Sequence, residues 1–116
     1  MAVLIVDGAN VVGSVPDGWW KDRRGAAERL RDQLASRAGD DEIILVVEGA
    51  ARGVGSVPGV RVDSATGSGD DLIVELAALY SGQDCVVVTA DRALCERVRA
   101  LGARCAGPRT VRPAER

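Results

Sequence analysis

A chain of 116 residues has room for one domain with one core. At 47% hydrophobic and 28% charged it is too apolar for a disordered segment, and a net charge of −2 excludes a globally basic nucleic-acid binder, so any polyanion must be held locally. With no histidine, imidazole is removed from both catalysis and metal ligation, which leaves carboxylates as the plausible ligands.

The chain opens on a short branched run, Ala2-Val-Leu-Ile-Val6, stopped by Asp7-Gly8, which predicts a buried strand. It lacks a basic leader and is too short for a signal peptide, and no later run reaches transmembrane length, so the expectation is a cytoplasmic protein without a membrane partner. Val11 to Gly18 reads as a Gly/Pro-punctuated loop leading to Trp19-Trp20. Ala27, Leu30 and Leu34 then share one helical face, in a helix ending near Gly39.

The pattern repeats. Glu42 to Val47 predicts a second strand, again followed by an acid and a glycine, Glu48-Gly49. Arg52 to Gly59 reads as a flexible loop and Val60 to Val62 as a short strand. Ser68-Gly-Asp-Asp71 precedes Leu72, Ile73, Leu76 and Leu79 at helical spacing, with Ser68 and Asp71 placed for a capping box and Ser81-Gly82 as the stop. Cys85 to Thr89 is a fourth strand, Asp91 opens a third helix carrying Leu94, Val98 and Leu101, and Arg104 to Ala106 is a last strand before a Pro/Arg-rich tail, 108–116. Cys85, Cys95 and Cys105 are odd in number and lack a CxxC pair, so they read as reduced core thiols.

Strands alternating with helices imply right-handed crossovers, a parallel sheet and helices on both of its faces: an α/β domain. Ligands in such sheets bind beyond the carboxyl ends of the strands, where Asp7, Glu48, Asp70, Asp71 and Asp91 all fall. Several carboxylates in one cleft raise each other's pKa, a cost that a hard divalent cation removes. Each acid also has a structural reading. Asp70 and Asp71 suit a first helical turn and Asp91 a helix cap, whereas Asp7 is followed by Gly-Ala-Asn rather than a helical pattern.

Around the acids stand candidate substrate contacts. Asn10 can turn its amide to a phosphate or close an Asx turn, and Thr89 can bond a carboxylate or simply end a strand. Arg92 can bind phosphate or remain a solvated arginine. Trp19 and Trp20 lie beside Lys21, Arg23 and Arg24, a mixture able to stack on bases and hold phosphates; the structural alternative puts one Trp on the core and leaves the other exposed, and Trp20 and Arg23 are taken as substrate-binding candidates.

Three segments in order, VLIVDGANVVG at 3–13, GDDLIVELA at 69–77 and VVVTADRAL at 86–94, resemble the NYN group of the PIN-like nuclease superfamily. The resemblance implies a three-layer α/β/α domain over 1–107 with a mostly parallel central sheet. It also implies a ribonuclease that uses Mg²⁺ or Mn²⁺ to hydrolyse RNA phosphodiester bonds, with a homodimer as a further expectation. Carried over by position, Asp7, Asp71 and Asp91 are its metal ligands, with Asp70 and Asn10 as supporting members of the catalytic set. The family often has Asp-Gly after the second strand, where this chain has Glu48-Gly49.

Two other readings stand beside this one. A binding module for RNA or nucleotides would keep the acidic cleft without turnover, and a haloacid-dehalogenase-type phosphatase would also begin with a strand and an Asp. The phosphatase needs a second acid two residues after the first, where this chain has Ala9.

Overall fold

Five short apolar runs form one parallel sheet in the order β3-β2-β1-β4-β5: β1 (Val3–Asp7), β2 (Glu42–Val47), β3 (Val60–Ser64), β4 (Cys85–Val88) and β5 (Arg104–Ala106). The computed structural model describes residues 2–37 and 39–112. Ile5 on the central strand lies level with Ile44 on one side and Val87 on the other, and β1 is buried along its whole length. Branched side chains that pack on both faces explain why the inner strands β1, β2 and β4 show no apolar/polar alternation, whereas the edge strand β3, Val-Arg-Val-Asp-Ser, does.

Successive residues serve opposite layers. Leu4, Val6, Leu45 and Val47 pack with Val11 of α1 (Gly8–Gly13) and with Leu30 and Leu34 of α2 (Arg23–Ser36). Ile5, Ile44, Val46 and Val87 pack with Ile73 and Leu76 of α3 (Gly69–Leu79) and with Leu94 and Val98 of α4 (Arg92–Arg99). The result is three layers, α/β/α, filled almost entirely by aliphatic side chains. Cys85 and Cys95 are buried and Cys105 partly buried, all as free thiols.

The sheet grows outward from β1 through β2 to β3, and the chain then returns to the other side of β1 for β4 and β5. The reversal leaves a crevice between the carboxyl ends of β1 and β4. Asp7 closes β1 at that point.

The structure corrects the sequence reading in three places. Residues 8–13 form a helix where a loop was expected from Val11 and where Asp7 was read as leading into no helix. The Asp7 carboxylate accepts the Asn10 N–H at the helix start, and burial of Val11 and Val12 outweighs the poor helix propensity of glycine. Second, α2 ends at Ser36, before Gly39, and α4 ends at Arg99, before Leu101; the left-handed Gly102, φ 92°, lies in the turn that follows. Third, packing continues beyond 107. Pro108–Thr110 forms a 3₁₀ turn, Val111 is buried, and the Arg112 guanidinium donates to the Val11 and Val12 carbonyls at the end of α1 and to Asp17. A helix leaves its last carbonyls without intrahelical donors, and Arg112 supplies them. Residues 113–116 of the predicted tail lie outside the described residues.

Candidate functional site

Asp7 is 5% exposed, and its two oxygens are held by different elements. The Thr89 hydroxyl donates to one at 2.9 Å, and the Asn10 N–H reaches the other at 3.4 Å. Thr89, 2% exposed just past β4, also accepts the Asp91 N–H at 3.1 Å. A single hydroxyl therefore couples the loop carrying Asp91 to the carboxylate ending β1. The Asn10 side chain adds a second tie, its Oδ1 accepting the Ala90 N–H at 2.9 Å. That bond fixes the amide's orientation and leaves its Nδ2 donors for other partners.

Burial pushes the Asp7 carboxyl above its ordinary range. The bonds from Thr89 and Asn10 pull it back in part, and the negative charges of Asp70 and Glu48 push it up again. Asp70, at the start of α3, is raised for the same reasons: burial first, then Asp91 and Glu48, with Arg97 opposing. Asp70 and Glu48 thus act on Asp7, and Asp91, Glu48 and Asp71 on Asp70, across the carboxyl edge. A cation set among them would favour every ionised form at once.

Asp91 accepts the Leu94 N–H at 3.1 Å and so caps α4, as its structural reading supposed. Glu48 leaves β2 and accepts the Gly69 N–H at 3.1 Å, tying the start of α3 to the sheet. The approach is tight, since a Cβ on Gly69 would stand 3.0 Å from a Glu48 carboxylate oxygen. Ser68 caps α3 by accepting the Asp70 N–H.

Asp71 lies elsewhere. Its side chain is 71% exposed and paired with Arg97 of α4 at 3.3 Å, away from Asp7. Adjacent residues on a helix point about 100° apart, so Asp70 and Asp71 meet different neighbours: the charge of Asp70 acts on the Asp7 carboxyl, and Asp71 pairs with Arg97. Arg97, which the sequence reading did not single out, stands close enough to act on both acids. Helical periodicity alone gives no sign of it, because its role comes from the packing of α4 beside α3.

The other candidates are dispersed. Arg92 is exposed on the first residue of α4. Trp20 is 53% exposed and meets Trp19 edge to face at 5.9 Å, while Trp19 packs against the core and the Arg23 guanidinium stands over its ring at 5.3 Å. As the side chains stand, no group of three or more acids or cysteines among the described residues is close enough together to hold a metal ion.

The crystal structure of Rae1 (YacP) from Bacillus subtilis, a W164L mutant, superposes with a TM-score of 0.65 over 92% of this chain and 69% of that one, at 20% identity. The fold is PIN-like. No protein-family model and no curated protein matches the chain. At this identity the likeness to Rae1 establishes the architecture, and the chemistry has to be argued from the acidic edge. Among the described residues, no helix is long and apolar enough to cross a membrane.

Proposed function

We propose that this protein is a divalent-metal ribonuclease of the NYN group, acting on RNA phosphodiester bonds at the carboxyl edge of its sheet. The observation that carries the reading is the raised Asp7 carboxyl, buried at the topological switch point with Asp70 and Glu48 acting on it. A fold that only needed Asp7 as a cap would gain nothing from adding negative charge around it. Perturbed carboxylates in a crevice are a mark of functional sites, although ion-pair networks also produce them.

The donor chemistry suits Mg²⁺ or Mn²⁺, which take oxygen ligands and keep several waters. Asp7, Asp70 and Asp91 would hold the ion, with Glu48 beside them; they lie apart in the structure, so binding requires them to draw together. When bound, the ion neutralises charge on the phosphate and activates water. Thr89 keeps the Asp7 carboxylate oriented, and the Asn10 amide, its Oδ1 held by the Ala90 N–H, would offer its Nδ2 to a phosphate oxygen. This assignment puts Asp70 where the motif resemblance puts Asp71, because Asp71 is exposed and engaged by Arg97 of α4.

The test is cleavage of labelled RNA by purified protein in Mn²⁺, with DNA of the same sequence alongside. Asp7→Asn, which keeps the shape of the side chain, should abolish cleavage. Activity that survives this substitution removes the enzyme reading. The separation of the acids also favours a second reading, an RNA-binding module without turnover. Its signature is RNA binding with no cleavage at any Mn²⁺ concentration.

A further inference from the structure

Beside the acidic edge, between α1 and α2, lies a cavity of about 280 Å³. Val12, Ala27 and Val47 form its apolar floor, Trp19 and Arg23 one wall, and Glu48 its border with the acids. The cavity exists because small residues surround it, Gly8, Ala9, Gly49 and Ala51 among them. Its size falls just under the ~300 Å³ at which drug-sized pockets begin, which suits one flat ring system.

The charges around it narrow the occupant further. Arg23 and Glu48 contribute one positive and one negative group, so the pocket carries no net charge to attract a phosphate. An aromatic ring with a guanidinium over it offers a stacking surface, and bases stack on both kinds of group regardless of sequence. Glu48 belongs to this wall and to the set of acids acting on Asp7, so an occupant of the cavity lies next to the acidic edge.

We infer that the cavity is a nucleobase subsite, which takes one base of the RNA strand while the adjoining phosphate lies over the acids. The inference rests on the ribonuclease reading for its substrate, but not for its test. Trp19 is the stacking partner in this scheme, and the exposed Trp20 is not. Base-tolerant binding follows, since the walls present a π-face and apolar atoms rather than an array of hydrogen-bonding groups.

The experiment uses Trp20→Phe protein, in which Trp19 is the only tryptophan, titrated in EDTA with each ribonucleoside monophosphate and with ribose 5-phosphate. Trp19 fluorescence should be quenched saturably by the nucleotides and left unchanged by the sugar phosphate. Ala9→Leu, at an exposed position lining the cavity, should weaken the nucleotides by about tenfold or more, the scale of one lost base stack. Arg23→Gln, which fills nothing, should weaken them by a smaller factor. Absence of quenching, equal quenching by ribose 5-phosphate, or unchanged affinity in both added variants overturns the subsite. Quenching without Mn²⁺-dependent cleavage in the parent protein would retain the subsite and remove the nuclease reading; cleavage without quenching would do the reverse.

Discussion

The two ends of the sheet handle negative charge in opposite ways. At the amino ends of the strands, Asp84 pairs with Arg104 at 2.6 Å in the open, and Asp41 accepts the Ala2 N–H at 2.9 Å. At the carboxyl ends Asp7 is buried, forms no ion pair among the described residues, and has Asp70 and Glu48 pushing its carboxyl upward. Exposed ion pairs contribute little to stability, so the amino end holds its charges cheaply. The carboxyl end holds its charges at a cost, and the proposed metal site lies there.

The sharpest way to break the comparison is within one helical turn. Asp70→Asn removes an acid that acts on Asp7 and is itself acted on by Asp91, and cleavage in Mn²⁺ should fall by roughly 10²-fold or more, at or beyond the range for losing a group that supports a bound metal. Asp71→Asn removes an exposed partner of Arg97, and the rate should stay within about threefold, as an ion pair of that exposure allows. Equal losses from the two substitutions would erase the distinction between them.

A second effect is on stability. A carboxyl whose folded pKa lies above its unfolded value favours folding while protonated, and that contribution is lost as pH rises through the folded pKa. Asp7 and Asp70 are both raised from an ordinary value of 3.8, so metal-free protein should lose part of its stability on going from about pH 4 to pH 7. Asp7→Asn should remove most of this slope and melt higher than the parent at pH 7 in EDTA. Thermal melts across that range check it, and a parent protein that gains stability toward pH 7 with the same slope in both proteins would contradict the assignment. The smallest effect belongs to the amino end, where Arg104→Ala should change stability by no more than about 1 kcal/mol and leave cleavage untouched.

Much of this edge was legible in the sequence. Three apolar runs stopped by polar or small residues mark β1, β2 and β4, the short edge strands β3 and β5 carry a weaker signal, and the alternation with helices implies a parallel sheet whose carboxyl ends carry the acids. The orientation of adjacent acids was not legible. Asp70 and Asp71 have the same charge and similar cap propensities, and only the packing of α4 beside α3 pairs Arg97 with Asp71 while leaving Asp70 to act on Asp7. The helix after Asp7 was hidden by Gly8 and Gly13, whose weak propensity gives way to burial of Val11 and Val12. The cavity was invisible for a related reason, since its lining comes from separate stretches of chain that only the fold brings together.

Crystals soaked in Mn²⁺ and measured for anomalous scattering test the central claim most directly. The account predicts an anomalous peak at the carboxyl edge of the sheet, with Asp7, Asp70 and Asp91 as its protein ligands and Asp71 still paired with Arg97. Well-diffracting soaked crystals with no peak beside Asp7, or with a peak held by Asp71 in place of Asp70, would contradict it.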